Sequence, residues 1–410
     1  MFNIEEKRPI IFYGAGHYAE TNLSRLIDKW YEPACFVDAD ENKHYKKLVS
    51  NENRDYVILP LDEAIKRYPD YQLIITVVSD PFSVYKYLLD LGVQKERFIT
   101  GEPQWCPMLG TSLVLQGRGL QSCCNRPGYE FCIPSRGNIT ADIEQYRRQC
   151  SSLSMALNEG LITTCTGCDS LQDGYNTNQP EIKSIIFGTG LPGGNTCNLE
   201  CVFCHYEGKL DHFERDDNIL EIFKYIAENL QPKTIAYAAG EIAVSPYRDE
   251  ILGLWISKGW GGLINTNATL FCDGIAQLLS KGLITLNCSL DAGTPQTFAK
   301  IKNVDCFQKV MDNLTKYSQT GGRIELKYII LDEINDNDED VQGFVFFAKQ
   351  INAPIQISRD CRVTDALSEK GYDTLVNITK LCTDLDVDYA ILTTLFEKDL
   401  YRLRSDNIIN

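Results

Sequence analysis

From Ile182 to the C-terminus the chain alternates short apolar runs with longer amphipathic stretches, and this period limits its fold more than any other feature. Strand-like runs fall at Ile182–Phe187, Thr234–Ala238, Gly262–Asn265, Leu283–Ser289, Arg323–Ile330, Ile355–Ser358 and Tyr389–Leu392. Between them lie helix-like segments, among them Asn218–Asn229, Asp273–Ser280, Cys306–Ser318, Asp338–Gln350 and Asp373–Leu385. Strands separated by helices pair in parallel and wind into a full or partial barrel. The polar residues from Arg402 to Asn410 read as a tail.

The first hundred residues alternate in the same way. Runs at Pro9–Tyr13, Ala34–Val37, Tyr56–Leu59 and Leu73–Val78 read as strands, and Leu61–Arg67 and Pro81–Leu91 as helices. Between Gly101 and Pro180 the alternation stops and Gly, Pro, Asn, Ser and Cys crowd together. Two helices are expected there, Thr140–Gln149 and Ser151–Asn158, with few strands. So long a non-periodic stretch needs something other than an apolar core to order it, and metal–thiolate bonds supply folding free energy directly. The expected organisation is 1–100, a parallel-sheet domain; 101–180, a cysteine-rich segment; 181–395, a β–α barrel; and 396–410, a tail.

Of the sixteen cysteines, nine lie between Cys123 and Cys204. The N-terminus shows no signal peptide, so the cytoplasm is the expected location, and in a reducing compartment metal ligation is a better reading than disulfides. The scattered Cys35, Cys106, Cys272, Cys288, Cys306, Cys361 and Cys382 read as small buried hydrophobes. A formal charge of −16 argues against a general nucleic-acid binder. No apolar run approaches the roughly 20 residues of a membrane span.

Cys197-Asn198-Leu199-Glu200-Cys201-Val202-Phe203-Cys204 sets three cysteines at x3 and x2 spacing after the glycine-rich Gly188–Gly194. Fe–S clusters usually take four thiolates, so three in one loop leave an iron open. A zinc site completed by His205 is the competing reading. With its aromatic Phe203 the motif resembles the signature of the radical S-adenosylmethionine (SAM) superfamily. That resemblance implies a partial (β/α)6 barrel and a 4Fe–4S cluster on Cys197, Cys201 and Cys204 that binds and reductively cleaves SAM. The 5′-deoxyadenosyl radical so formed abstracts hydrogen from a substrate, the electron coming from a reductant such as flavodoxin or ferredoxin.

Further family-like elements follow in order. Ala239-Gly240-Glu241 resembles the Gly-Gly-Glu motif that meets the SAM amino group, with Ala for the first Gly. Asn265-Thr266-Asn267 resembles a segment near the SAM ribose. Ser289-Leu290-Asp291-Ala292 resembles a segment facing SAM or substrate, and Thr294-Pro295 is a good helix start. Lys327 and Arg359 resemble groups that reach the SAM carboxylate or the substrate, with a structural ion pair as the competing reading.

Upstream, Cys165-Thr166-Gly167-Cys168 is a compact clamp. With Cys132 and one of Cys123 and Cys124 it makes four thiolates, and Cys150 is the least favoured ligand. The segment resembles the auxiliary-cluster regions of SPASM-type radical SAM proteins, although those generally follow the barrel, and implies a second Fe–S cluster. A zinc ribbon competes with it.

Gly14-Ala15-Gly16-His17-Tyr18-Ala19 fits G-x-G-x-x-G/A, with Asp38 at the end of the next strand. The segment resembles the Rossmann-like N-terminal domains of polysaccharide-biosynthesis proteins, some of which bind nucleotide sugars. His17 reads as a solvent-facing helix residue, and His44 and His212 support no site. The leading expectation is a radical SAM enzyme acting on a small molecule, with a nucleotide sugar or related glycan precursor favoured. A peptide-modifying radical SAM enzyme and a non-catalytic Fe–S redox sensor with a nucleotide-binding module are the alternatives.

Overall fold

The computed structural model describes residues 2–5, 8–16, 19, 32–49, 55–116, 119–123, 133–134, 138–175, 181–188, 196–204, 217–363 and 365–409. His17, Cys124, Cys132, His205, His212 and the 189–195 part of the glycine-rich lead-in lie outside them. The chain divides into two compact units, residues 1–114 with 119–182, and residues 115–118 with 183–410. Among the described residues no helix is long and apolar enough to cross a membrane.

The first unit is built on β1 (Ile10–Tyr13), β2 (Cys35–Val37), β3 (Lys47–Val49), β4 (Asp55–Leu59) and β5 (Gln72–Ile75), in the order β3-β4-β2-β1-β5. All pairs are parallel except β3–β4. Every residue of β1 is buried, because both faces of the sheet are covered. Ile11, Tyr13, Val37 and Leu73 pack on one face with Tyr85 and Leu88 of the helix Pro81–Asp90. Ile10, Phe12, Phe36 and Ile58 fill the other.

The cysteine-rich segment is more regular than its composition suggests. It holds β6 (Gln104–Trp105), β7 (Ser112–Gln116), β8 (Gly119–Gln121), β9 (Ile133–Pro134) and β10 (Gln172–Asp173). The two expected helices are one, Ile139–Asn158, capped by the Asn138 side chain on the Ala141 N–H. Ile143, Tyr146, Cys150, Leu153 and Leu157 recur at helical spacing and are buried, so Cys150 continues the apolar stripe instead of interrupting it. Ala156 and Leu161 belong to the core of the first sheet.

The second unit carries β11 (Ser184–Phe187), β12 (Thr234–Tyr237), β13 (Gly261–Thr266), β14 (Ile284–Ser289), β15 (Arg323–Ile330), β16 (Ile355–Arg359) and β17 (Tyr389–Ile391). Each pairs in parallel with the next, in chain order. This is the α/β architecture expected of a (β/α)6-type unit. Ile264, Leu286 and Leu326 share one face by register and are fully buried. The expected tail is not featureless, since Leu400–Ser405 is a helix with Leu403 buried, and its leucines supply the apolar contact that a polar reading overlooks.

Candidate functional site

The loop 196–204 follows β11 and is tied down at several points. The Cys204 N–H donates to the Cys201 carbonyl at 3.0 Å, and the Val202 N–H to Ile301 at 2.9 Å. The Val202 carbonyl accepts from the Arg362 guanidinium at 3.0 Å. Cys197, Cys201 and Cys204 are all partly exposed, unlike the buried Cys272, Cys288 and Cys382. Burial raises the Cys197 thiol, opposed by the Leu199 N–H that faces it, and Cys204 is near enough to act on it. Burial pushes the Cys201 thiol up to about 11, and Lys302 pulls it down.

Three strand-end segments meet this loop, in line with the rule that active sites gather where parallel strands end. After β12 the Glu241 N–H donates to the Thr196 carbonyl at 2.8 Å. The Glu241 carboxylate is buried, and it accepts from the Ala243 N–H at 3.0 Å, the Thr266 hydroxyl at 3.1 Å and the Asn267 N–H. These bonds commit the side chain to tying β12 to β13, and burial raises its pKa. Gly240, with φ 50°, makes the turn before it.

After β13 the Asn267 amide donates to Asn198 Oδ1 at 2.9 Å and faces Cys197 Sγ at 3.8 Å. Asn198 in turn donates to the Thr269 hydroxyl at 2.8 Å.

After β14, Asp291 is fully buried and its carboxylate meets Lys302 Nζ at 2.6 Å and the Ile329 N–H at 2.9 Å. Both oxygens are therefore engaged inside the protein. Lys302 also donates to the Ser289 carbonyl at 2.6 Å and lies 4.8 Å from the centre of the Phe203 ring. Burial opposes its charge, but Asp291 and then Cys201 outweigh that and raise its pKa. Lys302 is the residue that sequence reasoning missed; only its place at the end of the helix begun by Thr294-Pro295 hinted at it. The Thr294 side chain caps that helix on the Thr297 N–H, as expected.

Strand register aligns polar side chains on one face of the sheet. Asn265, Asn287 and Glu325 form one row, and Ser289, Lys327 and Gln356 the next. Glu325 is held by Arg323 at 2.7 Å. Lys327 is half-buried, and its ammonium has no ion pair among the described residues. Among the described residues Asn265 Oδ1 and Ser358 Oγ are buried without a hydrogen-bond partner. Arg359 does not join the row, because it is buried against Asp399 at 3.4 Å, the structural ion pair considered from sequence.

In the first unit, Gly14 has φ 117°, and a Cβ there would lie 2.7 Å from Val77, so the turn requires glycine. Among the described residues nothing lies within 4 Å of a Cβ built at Gly16. Asp38 accepts from the Ala15 N–H at 2.8 Å and pairs with Lys43 at 3.0 Å, so its carboxylate braces the loop. Cys123, Cys165 and Cys168 are partly exposed, whereas Cys150 is buried with its sulfur 3.0 Å from the Ser122 hydroxyl.

Residues 191–348 match the model of the radical SAM superfamily. A probable GTP 3′,8-cyclase of Pyrobaculum aerophilum is 26% identical over 193 residues, 45% of this chain and 59% of that protein. One of Methanothermobacter marburgensis is 26% identical over 229 residues, 55% of this chain and 72% of that protein. The chain thus spans little more than half the length of the first of these relatives. The crystal structure of Streptococcus suis SuiB bound to its precursor peptide SuiA superposes at a TM-score of 0.43 and 13% identity, covering 76% of this chain and 62% of that one.

Proposed function

We propose that this chain, whose residues 191–348 form a radical SAM domain, is an enzyme that cleaves SAM reductively at a cluster held by Cys197, Cys201 and Cys204. The superfamily's cofactors are a 4Fe–4S cluster and SAM, which when bound supply a 5′-deoxyadenosyl radical for hydrogen abstraction. One observation carries the reading: three partly exposed thiols share a loop to which the ends of β12, β13 and β14 are all joined. The donor set fits the group, since three thiolates leave a cubane iron open for a further ligand.

The chain's own residues supply the surroundings. Asn267 holds Asn198 and faces the Cys197 sulfur, and Lys302 sets a positive charge behind Cys201 and Phe203. Glu241 braces the β12 and β13 ends through its side chain, leaving backbone groups of the Gly240 turn to meet SAM. The row Ser289, Lys327 and Gln356, with an Asn265 oxygen unpartnered among the described residues, suits a substrate rich in hydroxyl or amide groups. A nucleotide or nucleotide sugar is the class we favour, with an electron from a protein such as flavodoxin or ferredoxin.

The test is release of 5′-deoxyadenosine from SAM by reconstituted, reduced, oxygen-free protein, with nucleotide sugars and peptides compared as accelerants. Wild-type protein is expected to release it and C201A to release none. No release under several reductants would leave the non-catalytic redox-sensor reading. Acceleration by peptides alone would move the substrate to that class.

A further inference from the structure

Four thiols of the first unit come together, and one of them, Cys106, is not placed there by sequence spacing. β6 and β10 run antiparallel with Trp105 opposite Gln172, which carries Cys106 to the position facing Leu171. The Leu171 N–H bonds back to the Cys168 carbonyl at 3.0 Å, and the Cys168 N–H to the Cys165 carbonyl at 2.9 Å. Strand register therefore sets Cys106 beside the Cys165–Cys168 turn.

Cys123 arrives from another direction. It follows β8, and Ser122 before it meets Cys150 on the helix Ile139–Asn158. That helix packs against β6 as well as β8, so it draws the two chain segments together. Cys106, Cys123 and Cys168 all lie near enough to Cys165 to act on its charge. Cys106 is raised by burial, with Cys123 and Cys168 adding to it, while the N–H groups of Met108 and Leu109 face its sulfur. All four are partly exposed, whereas Cys35, Cys150, Cys272, Cys288 and Cys382, which serve as core hydrophobes, are buried.

We propose that Cys106, Cys123, Cys165 and Cys168 ligate a second iron–sulfur cluster, Cys106 taking the place expected of Cys132. Cys106 thereby leaves the set of scattered structural cysteines. Four thiolates is the usual ligand number for such a cluster. Its ligands bond different irons and stand apart, whereas donors to one zinc at about 2.3 Å must lie within about 4 Å of one another. This centre lies in the first unit and does not rest on the SAM-cleavage reading.

The test uses the full chain carrying C197A, C201A and C204A, so that iron at the SAM loop is removed from the count. Purified without oxygen, it is expected to hold about four irons and four labile sulfides. Adding C106S should remove most of both, and adding C132A or C124A should leave them. Mass spectrometry after iodoacetamide gives a readout that needs no folded variant at the site. Cys106, Cys123, Cys165 and Cys168 should be protected in the loaded protein and labelled once iron is chelated. Zinc in place of iron, loss of iron in C132A, or labelling of Cys106 in the loaded protein would overturn the assignment.

Discussion

Replacing Lys302 by methionine keeps most of the length of the side chain and removes its charge. Lys302 and Asp291 are 2% and 0% exposed and 2.6 Å apart. Methionine leaves the Asp291 carboxylate buried without its cation and the Ser289 carbonyl without its donor. Breaking a buried pair from one side costs about 3–5 kcal/mol. For a unit of this size that is a fall in Tm of about 6–20 °C. Removing both charges in D291N/K302M should recover more than half of the loss, because asparagine keeps an oxygen for the Ile329 N–H. Urea and thermal unfolding of the full chain by circular dichroism measure both variants. A K302M within about 1 kcal/mol of the parent, or a double variant no more stable than the single, would refute the pairing argument. The same change removes the cation that pulls the Cys201 thiol down, so iodoacetamide should label Cys201 of metal-free K302M more slowly than in the parent.

Three further outcomes are expected. A Cβ at Gly293 would lie 1.9 Å from the Asp340 carbonyl oxygen, so G293A must push the helix Asp338–Gln350 away and should cost about 3 kcal/mol or more in urea unfolding. The Tyr328 hydroxyl lies 2.6 Å from the Asn335 carbonyl and 2.9 Å from the Asp340 carboxylate, and Y328F should cost about 1–3 kcal/mol by the same measurement. Burial tends to raise the Asp38 pKa, but the N–H groups of Asp40 and Ala15 and the Lys43 ammonium outweigh it and hold it below the ordinary 3.8. Its stabilisation is therefore full above pH 3.8 and lost as pH falls through the lower folded-state value, so the stability gap between the parent and D38N should close on acidification.

Much of this protein is written in local pattern. Apolar runs of four to eight residues, each followed by an amphipathic stretch, specify β11–β17 and their helices, because strand and helix periods depend on near neighbours. The three cysteines of the loop after β11 are legible for the same reason: their spacing lies within eight residues. Tertiary structure decided what depends on distant segments. Asp291 reads as a ligand-facing residue until Lys302, eleven positions on, folds back onto it. Arg359 finds Asp399, forty residues away. Cys106 reads as a lone hydrophobe until the β6–β10 register sets it beside a turn some sixty residues later. Backbone propensity carries no information on such pairings; they follow from which strands align and which charges must be buried together.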